Sequence, residues 1–263
     1  MKSVASSNNP IFKQLKNLNT AKGRREQGLF IAEGPHLMGE ALKAGATIRY
    51  AAVRDDAVEK NRALLQAAVN AGAEALILPL RLFNALADTD TPQGILVVAG
   101  IRQCNLLEFI RKDSCISIVL ERVQDPGNLG TILRTTLAVN AGFAAVTSDS
   151  ADPWSQKVVR SSQGAIFHLP IIEVGNATGA VRAMNAEGWH TACGCINGEN
   201  FFSREAHEKT AVVIGNEAAG VNPETARACS ARYKLPMPGK AESLNAAVAA
   251  GIMLYDIWRE QQL

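Results

Sequence analysis

Apolar positions in the first hundred residues switch repeatedly between helical and extended spacing. Pro10 to Arg25 sets Ile11, Leu15 and Leu18 on one helical face, with its basic residues elsewhere. A short apolar run, Leu29 to Ala32, leads into Glu33-Gly34-Pro35, and a helix is expected across His36 to Ala44. The pattern then predicts a strand near Ile48 to Val53, a helix across Ala57 to Ala71 and a strand near Ala75 to Leu78. A short helix at Arg81 to Ala87 and a buried strand at Ile95 to Ala99 complete the block. Strands and helices alternating in this way predict a small α/β sandwich over residues 1–101.

Residues 102–113 are rich in polar and charged side chains and are expected to form a linker. A second block, residues 114–263, opens on strand Ile116 to Leu120 and the turn Gln124 to Asn128. A helix from Leu129 to Asn140 follows, ended at Ala141-Gly142. Strands are expected near Ala144 to Thr147, Ile166 to Ile171, His190 to Gly194, Ala211 to Gly215 and Tyr233 to Leu235. A long helix from Ser243 to Glu260 carries an apolar stripe of Leu244, Val248, Ile252 and Tyr255, with Ala249 and Ala250 beside it.

Composition adds little to this α/β picture. The chain is 263 residues long, 47% hydrophobic and 20% charged, which suits a protein with a sizeable core and excludes a disordered one. Its net charge of +2 is unremarkable, but the distribution is not. Lys2, Lys13, Lys16, Lys22, Arg24 and Arg25 fall between Met1 and Arg25 with no acid among them, a local field that attracts phosphate or is a solvated basic face. Five cysteines form no CxxC pair, and Cys193 and Cys195 read as core residues on one side of a strand. No window approaches the roughly 20 apolar residues of a membrane span, so a cytoplasmic protein is expected.

Several familiar chemistries are missing. The turn after Leu120 has Gly127 and Gly130 but lacks the GxGxxG order of a dinucleotide site. No P-loop, HExxH, GxSxG or metal-ligand cluster is present, and the four histidines lie in unrelated contexts. Three segments stand out instead. They are Asp125-Pro126-Gly127-Asn128-Leu129-Gly130-Thr131-Ile132-Leu133-Arg134, with Asn128 at a helix cap; Val212 to Gly220, a strand ending in a glycine turn with Glu217; and Leu235 to Asn245, a Pro- and Gly-punctuated loop entering a helix. Singly, each has a structural explanation.

In this order and at these spacings, the three segments resemble the signature motifs of the SpoU (TrmH) family of RNA ribose 2′-O-methyltransferases, of the SPOUT class. The likeness runs from Ile116 to Trp258, and Lys157 to Ala165 is similar to the family segment that faces RNA. Ser6 to Ile11, Phe30 to Gly34 and Thr91 to Gly94 look like a substrate-binding domain related to ribosomal protein L30e. The resemblance implies a SPOUT α/β domain with a deep trefoil knot behind a small L30e-like sandwich, S-adenosylmethionine as methyl donor, and a homodimer. No metal is needed, because the donor's sulfonium already makes the methyl group electrophilic.

By the same resemblance the cofactor pocket maps to Gly194 through Gly198, Ile214 through Gly220 and Leu235 through Leu244. Within it, Gly194, Gly215, Asn216, Gly220 and Leu244 line the loops, and Ile214, Leu235 and Met237 supply apolar walls. Arg134 is the residue nearest the reaction. An arginine stays protonated, so its expected task is to hold the phosphate beside the target ribose and stabilise the developing alkoxide. Asn128 and Glu217 would orient Arg134 and the ribose, while Ser243 and Asn245 would fix the knot loop and the nucleophile. Arg160, Ser162, Lys13, Lys22, Arg24 and Arg25 are expected to contact RNA. One departure is Ala246-Ala247, where the family commonly has Val-Ser after Ser-Leu-Asn. The expected substrate is rRNA; tRNA, or a non-catalytic role in ribosome assembly, are the competing readings.

Overall fold

The computed structural model describes residues 1–112 and 114–262; Asp113, in the expected linker, and Leu263, in the expected second domain, lie outside the described residues. In chain order the elements begin β1 (Lys2–Ser3), α1 (Pro10–Asn17), α2 (Ala21–Gln27), β2 (Leu29–Glu33), α3 (Pro35–Lys43), β3 (Ile48–Arg54), α4 (Arg62–Asn70), β4 (Glu74–Leu78), α5 (Leu80–Asn84) and β5 (Ile95–Gly100). They continue α6 (Leu106–Ile110), β6 (Ile116–Leu120), α7 (Pro126–Ala138), β7 (Ala144–Thr147), α8 (Gln156–Ser161), α9 (Ala165–His168) and β8 (Ile171–Val174). The last are α10 (Ala177–Ala186), β9 (His190–Asn200), β10 (Thr210–Ile214), α11 (Pro223–Ala228), β11 (Ala231–Lys234) and α12 (Ala246–Glu260).

The chain divides into two compact units, Met1–Ile101 with Asp152–His168, and Arg102–Ala151 with Leu169–Leu263. The first holds a mixed sheet in the order β1-β4-β3-β5-β2, antiparallel where β5 meets β3 and β2. Phe12 and Leu15 of α1 pack with Ile31, Leu76 and Leu96 in its core. The single helix expected over Pro10 to Arg25 is two. Thr20 interrupts it, accepting the Gly23 N–H on Oγ1 at 3.0 Å and so capping α2.

Asp152–His168, a segment inside the expected second domain, packs with the first unit. Arg24 donates through Nε and Nη2 to Asp152 Oδ2 (2.9 and 2.5 Å), and the Phe30 ring lies 5.2 Å from Trp154 and 5.6 Å from Phe167. The strand expected at Ile166 to Ile171 is instead α9 followed by β8, because a short apolar run carries no period of its own.

In the second unit six strands run parallel in the order β11-β9-β10-β6-β7-β8. Both faces of such a sheet are covered, which accounts for the unbroken burial of Ile116–Leu120 and Thr210–Ile214. The expected linker is part of this unit: α6 buries Phe109 and Ile110, and Trp189 Nε1 donates to the Ile110 carbonyl at 2.9 Å. The histidines are not all in unrelated contexts either. His190, at the start of β9, stacks on His207 with ring centroids 3.7 Å apart; burial, with His207 and Arg204 adding to it, pushes its pKa down to about 4. That pair sits at the end of the sheet opposite the site described next.

The final helix begins at Ala246 rather than Ser243, with Asn245 as its cap. Its inward face is Ala247, Ala250, Met253, Leu254 and Ile257. The expected stripe points the other way: Leu244, Val248, Ile252 and Tyr255, with Trp258, are 36–50% exposed. The helix is apolar on two faces, and the pattern alone had no means of ranking them. Among the described residues no helix is long and apolar enough to cross a membrane.

Candidate active site

β6 and β10 are parallel neighbours in register from Thr210↔Ile116 to Ile214↔Leu120, so the segments that leave them emerge together at the carboxyl end of the strands. From β6 the chain enters α7 through Asp125, whose Oδ1 accepts the Asn128 N–H at 2.7 Å. Asp125 is therefore the cap and Pro126 the first helical residue, a pairing that suits a proline lacking an N–H. Asn128, expected at the cap, lies within the first turn, and this frees its side chain.

From β10 the chain closes a tight loop, with reciprocal backbone bonds between Asn216 and Gly220 (3.1 and 2.8 Å). Asn216 Oδ1 accepts the N–H groups of Ala218 and Ala219, and Asn216 Nδ2 donates to the Arg122 carbonyl at 2.9 Å. Gly215 is required by close approach: a Cβ there would lie 2.2 Å from the Gly220 carbonyl carbon and the Val221 nitrogen. The loop presents Glu217 to the start of α7. Its Oε1 accepts from Asp125 N (3.0 Å) and Asn128 Nδ2 (3.1 Å), and its Oε2 accepts from Gln124 N (3.1 Å). Burial raises the Glu217 carboxyl, but the Asp125 and Gln124 amides and Asn128 outweigh it and hold the pKa below the usual carboxylate range.

Asn245 completes the constellation. Its Oδ1 accepts the Ala247 and Val248 N–H groups, capping α12, while its Nδ2 donates to Asn128 Oδ1 at 2.9 Å. The chain Glu217–Asn128–Asn245 thus joins three segments far apart in sequence, and each amide is orientated by a partner on both sides. Sequence reasoning missed Glu121, which is buried beneath the loop and accepts from Asn222 N and Thr225 Oγ1, both at 2.7 Å. A lone acid at the end of an apolar strand was the available signal.

Two expected members stand apart. Arg134 is exposed and makes no hydrogen bond or ion pair among the described residues, so Asn128 and Glu217 do not orient it. Six residues along α7 place it about 120° around the helix from Asn128. Ser243 is exposed, precedes the helix and has no hydrogen-bond partner among the described residues.

β9 and β11 shape the neighbouring ground. The partner of Arg232 is Cys193 and that of Tyr233 is Glu199, so residues 194–198 bulge out of the pairing. At Gly194 a Cβ would sit 3.4 Å from Met253 Sδ and 3.5 Å from Ile214 Cδ1, in ordinary contact. Leu235 to Leu244 makes no backbone–backbone hydrogen bond among the described residues, with Leu235 and Met237 half-buried along it. Leu244, expected in the pocket, is 38% exposed. Among the described residues no group of three or more His, Cys, Asp or Glu side chains is placed to hold a metal ion.

In the first unit, Lys13 and Lys16 line a shallow cleft of about 670 Å³ with Gln14, Asn17, Thr20 and Gln27. Arg25 is exposed and Lys22 pairs with Glu26 at 3.7 Å. Two expected RNA contacts are withdrawn by burial. Arg24 is 6% exposed and spends its guanidinium on Asp152 and the Leu18 carbonyl, and Ser162 is fully buried, bonded to the Val159 carbonyl. Arg160 remains half-exposed and pairs with Asp88 at 2.8 Å.

Known proteins resemble this chain over both of its units. Residues 115–255 match the family model described as the SpoU rRNA Methylase family, and residues 9–97 match an MRM3-like substrate binding domain. A Bacillus subtilis protein, the 23S rRNA (guanosine(2553)-2′-O)-methyltransferase RlmP, is 33% identical over 98% of this chain and 99% of its own. The crystal structure of an AdoMet-bound rRNA methyltransferase from Sinorhizobium meliloti superposes with a TM-score of 0.88, at 31% identity and covering 100% of this chain and 98% of that one. The SpoU methyltransferase AviRb of Streptomyces viridochromogenes, solved with AdoMet, gives a TM-score of 0.85 at 26% identity, over 97% and 98% of the two chains.

Proposed function

The chain belongs to the SpoU rRNA methylase family, and on that premise we propose that it methylates a ribose 2′-hydroxyl of 23S ribosomal RNA with S-adenosylmethionine as donor. The observation that carries this reading is the Glu217–Asn128–Asn245 chain, in which the three motif segments meet at the carboxyl end of the parallel sheet. The shared fold also implies the trefoil knot expected from the resemblance.

The ground beside β9 and β11 fits the cofactor. Leu235 to Leu244 leaves amides and carbonyls free to read an adenine edge, and Leu235, Met237 and Ile214 are apolar walls, with Gly194 beside Ile214 and Met253. Gly215, Asn216 and Gly220 hold the adjoining loop in shape. The bound cofactor supplies an electrophilic methyl group; alignment and proton loss are left to the protein. Asn128 is locked between Glu217 and Asn245, and it positions the ribose by a hydrogen bond rather than by moving charge. Arg134, cationic and unpaired, takes the phosphate beside that ribose and stabilises the hydroxyl as its proton leaves.

The first unit then selects the RNA, through Lys13, Lys22, Arg25, the cleft beside Lys16 and Arg160 once released from Asp88, while the second unit carries the reaction. The cytoplasm is where such a substrate is met. Mapping 2′-O-methyl groups in 23S rRNA with and without the gene should show one position that loses its methyl group. An unchanged rRNA map alongside a lost tRNA methylation would transfer the assignment to tRNA.

The exposed stripe Val248, Ile252, Tyr255 and Trp258 supports a homodimer packed through α12, since a contiguous apolar patch of this kind is a usual mark of an interface. Ile252→Glu is expected to yield monomers by light scattering where the wild type gives dimers. A variant that keeps the wild-type mass would remove α12 from the interface.

A further inference from the structure

Arg122 leaves β6 in a conformation that few side chains adopt. Its φ is +55°, in the left-handed region where Gly and Asn are at ease and an arginine is strained. The backbone is held there from both sides. Arg122 N donates to Thr147 Oγ1 at 3.0 Å, and its carbonyl accepts from Asn216 Nδ2 at 2.9 Å. These contacts use only the main chain, so the arginine side chain is not needed to make the turn.

The guanidinium itself has nothing to do in this structure. Its Nε is inaccessible to solvent and without a hydrogen-bond partner, and Arg122 forms no ion pair among the described residues. Carboxylates are not scarce nearby, but each has a donor of its own. Glu121 serves Asn222 and Thr225, Asp125 caps α7, Asp149 accepts from Thr147 Oγ1 at 2.5 Å, and Glu217 holds Gln124, Asp125 and Asn128. A buried N–H left without an acceptor is costly unless a ligand supplies one, and Arg122 as a whole is half-buried. Strain and an unmet donor at one residue, at the end of β6 that leads into the Asn128 constellation, point in the same direction.

Resting on the proposed RNA methylation, we infer that Arg122 is a further binding residue of this site, whose guanidinium takes an oxyanion of the bound ligands. A phosphate of the RNA strand and the carboxylate of the cofactor's methionine share that chemistry, and both suit the planar fork of an arginine better than the point charge of a lysine.

Full-length wild type, Arg122→Asn and Arg122→Lys would each be titrated with S-adenosylmethionine alone and with transcribed 23S rRNA alone. If the oxyanion is a phosphate, Arg122→Asn weakens RNA binding about tenfold and reduces the slope of log affinity against log salt by about one, with cofactor affinity unchanged. If it is the carboxylate, cofactor Kd rises about tenfold and RNA binding is unaltered. Arg122→Lys recovers part of whichever affinity was lost. Asn is at home at this φ, so its melting temperature should not fall. Both affinities within twofold of wild type, or a lower melting temperature with neither affinity nor salt slope moved, would overturn the assignment. Binding is read without turnover, so an inactive wild type would remove the proposed reaction and leave this measurement standing.

Discussion

Arg134→Ala is expected to bind S-adenosylmethionine within about twofold of wild type and to lose about 100- to 1000-fold in kcat, the scale on which a single electrostatic stabiliser acts. Two features of the structure set this apart from an ordinary surface substitution. Arg134 is exposed on α7 with no hydrogen-bond or ion-pair partner among the described residues, so its removal breaks no polar contact and should leave the fold intact. It also lies outside the Glu217–Asn128–Asn245 chain, so the cofactor loops keep their supports. What is lost, on the proposed reading, is the charge that would take the RNA phosphate. Arg134→Lys keeps the charge without the bidentate fork and should fall between the two. Single-turnover assays with saturating cofactor would decide the matter. A turnover for Arg134→Ala within tenfold of wild type would falsify the role given to it.

Gly215→Ala should do more damage than any polar substitution nearby, although it adds one carbon. The new Cβ would stand 2.2–2.3 Å from the Gly220 carbonyl group and the Val221 nitrogen, which are backbone atoms with no side-chain freedom to absorb the clash. The loop must open, and its opening breaks the reciprocal Asn216–Gly220 bonds and carries Glu217 away from the start of α7. The direct overpacking term is about 3 kcal/mol, corresponding to a melting temperature about 6–12 °C lower. Methyl transfer and cofactor binding should fall together, unlike the split expected for Arg134. Calorimetric melting that shows a change below about 1 °C, with activity retained, would show that the loop is not held as tightly as its geometry requires.

These two residues also mark what could be read before the fold was known. Arg134 was singled out by its place in a motif, and the structure sets it exposed on α7, apart from Asn128 and Glu217. Gly215 was legible only as a glycine after a strand, since its colliding neighbours, Gly220 and Val221, come into place when the loop closes. Arg24 counted among the RNA contacts on local charge, yet its partner is Asp152, 128 residues away, and no local pattern announces such a pair. Asn128 was placed one turn too early because Asn and Asp are both good caps; Asp125 ahead of Pro126 decides between them. The apolar strands β6 and β10 were plain in the sequence. Which side of α12 faces inward was not, since apolar residues occupy both.

The hydrogen bond from Asn245 to Asn128 spans 117 residues of chain. At a synthesis rate of about 5–20 residues per second, Asn128 leaves the ribosome roughly 6–23 s before Asn245 does. During that interval the helix that presents Asn128 and Arg134 can form from local contacts, but one side of the Asn128 amide has no partner. The last helix must dock before that side is filled. If the proposed site is the catalytic one, competence is withheld from the nascent chain until α12 docks, and the enzyme would not begin work while still attached to the ribosome that makes it.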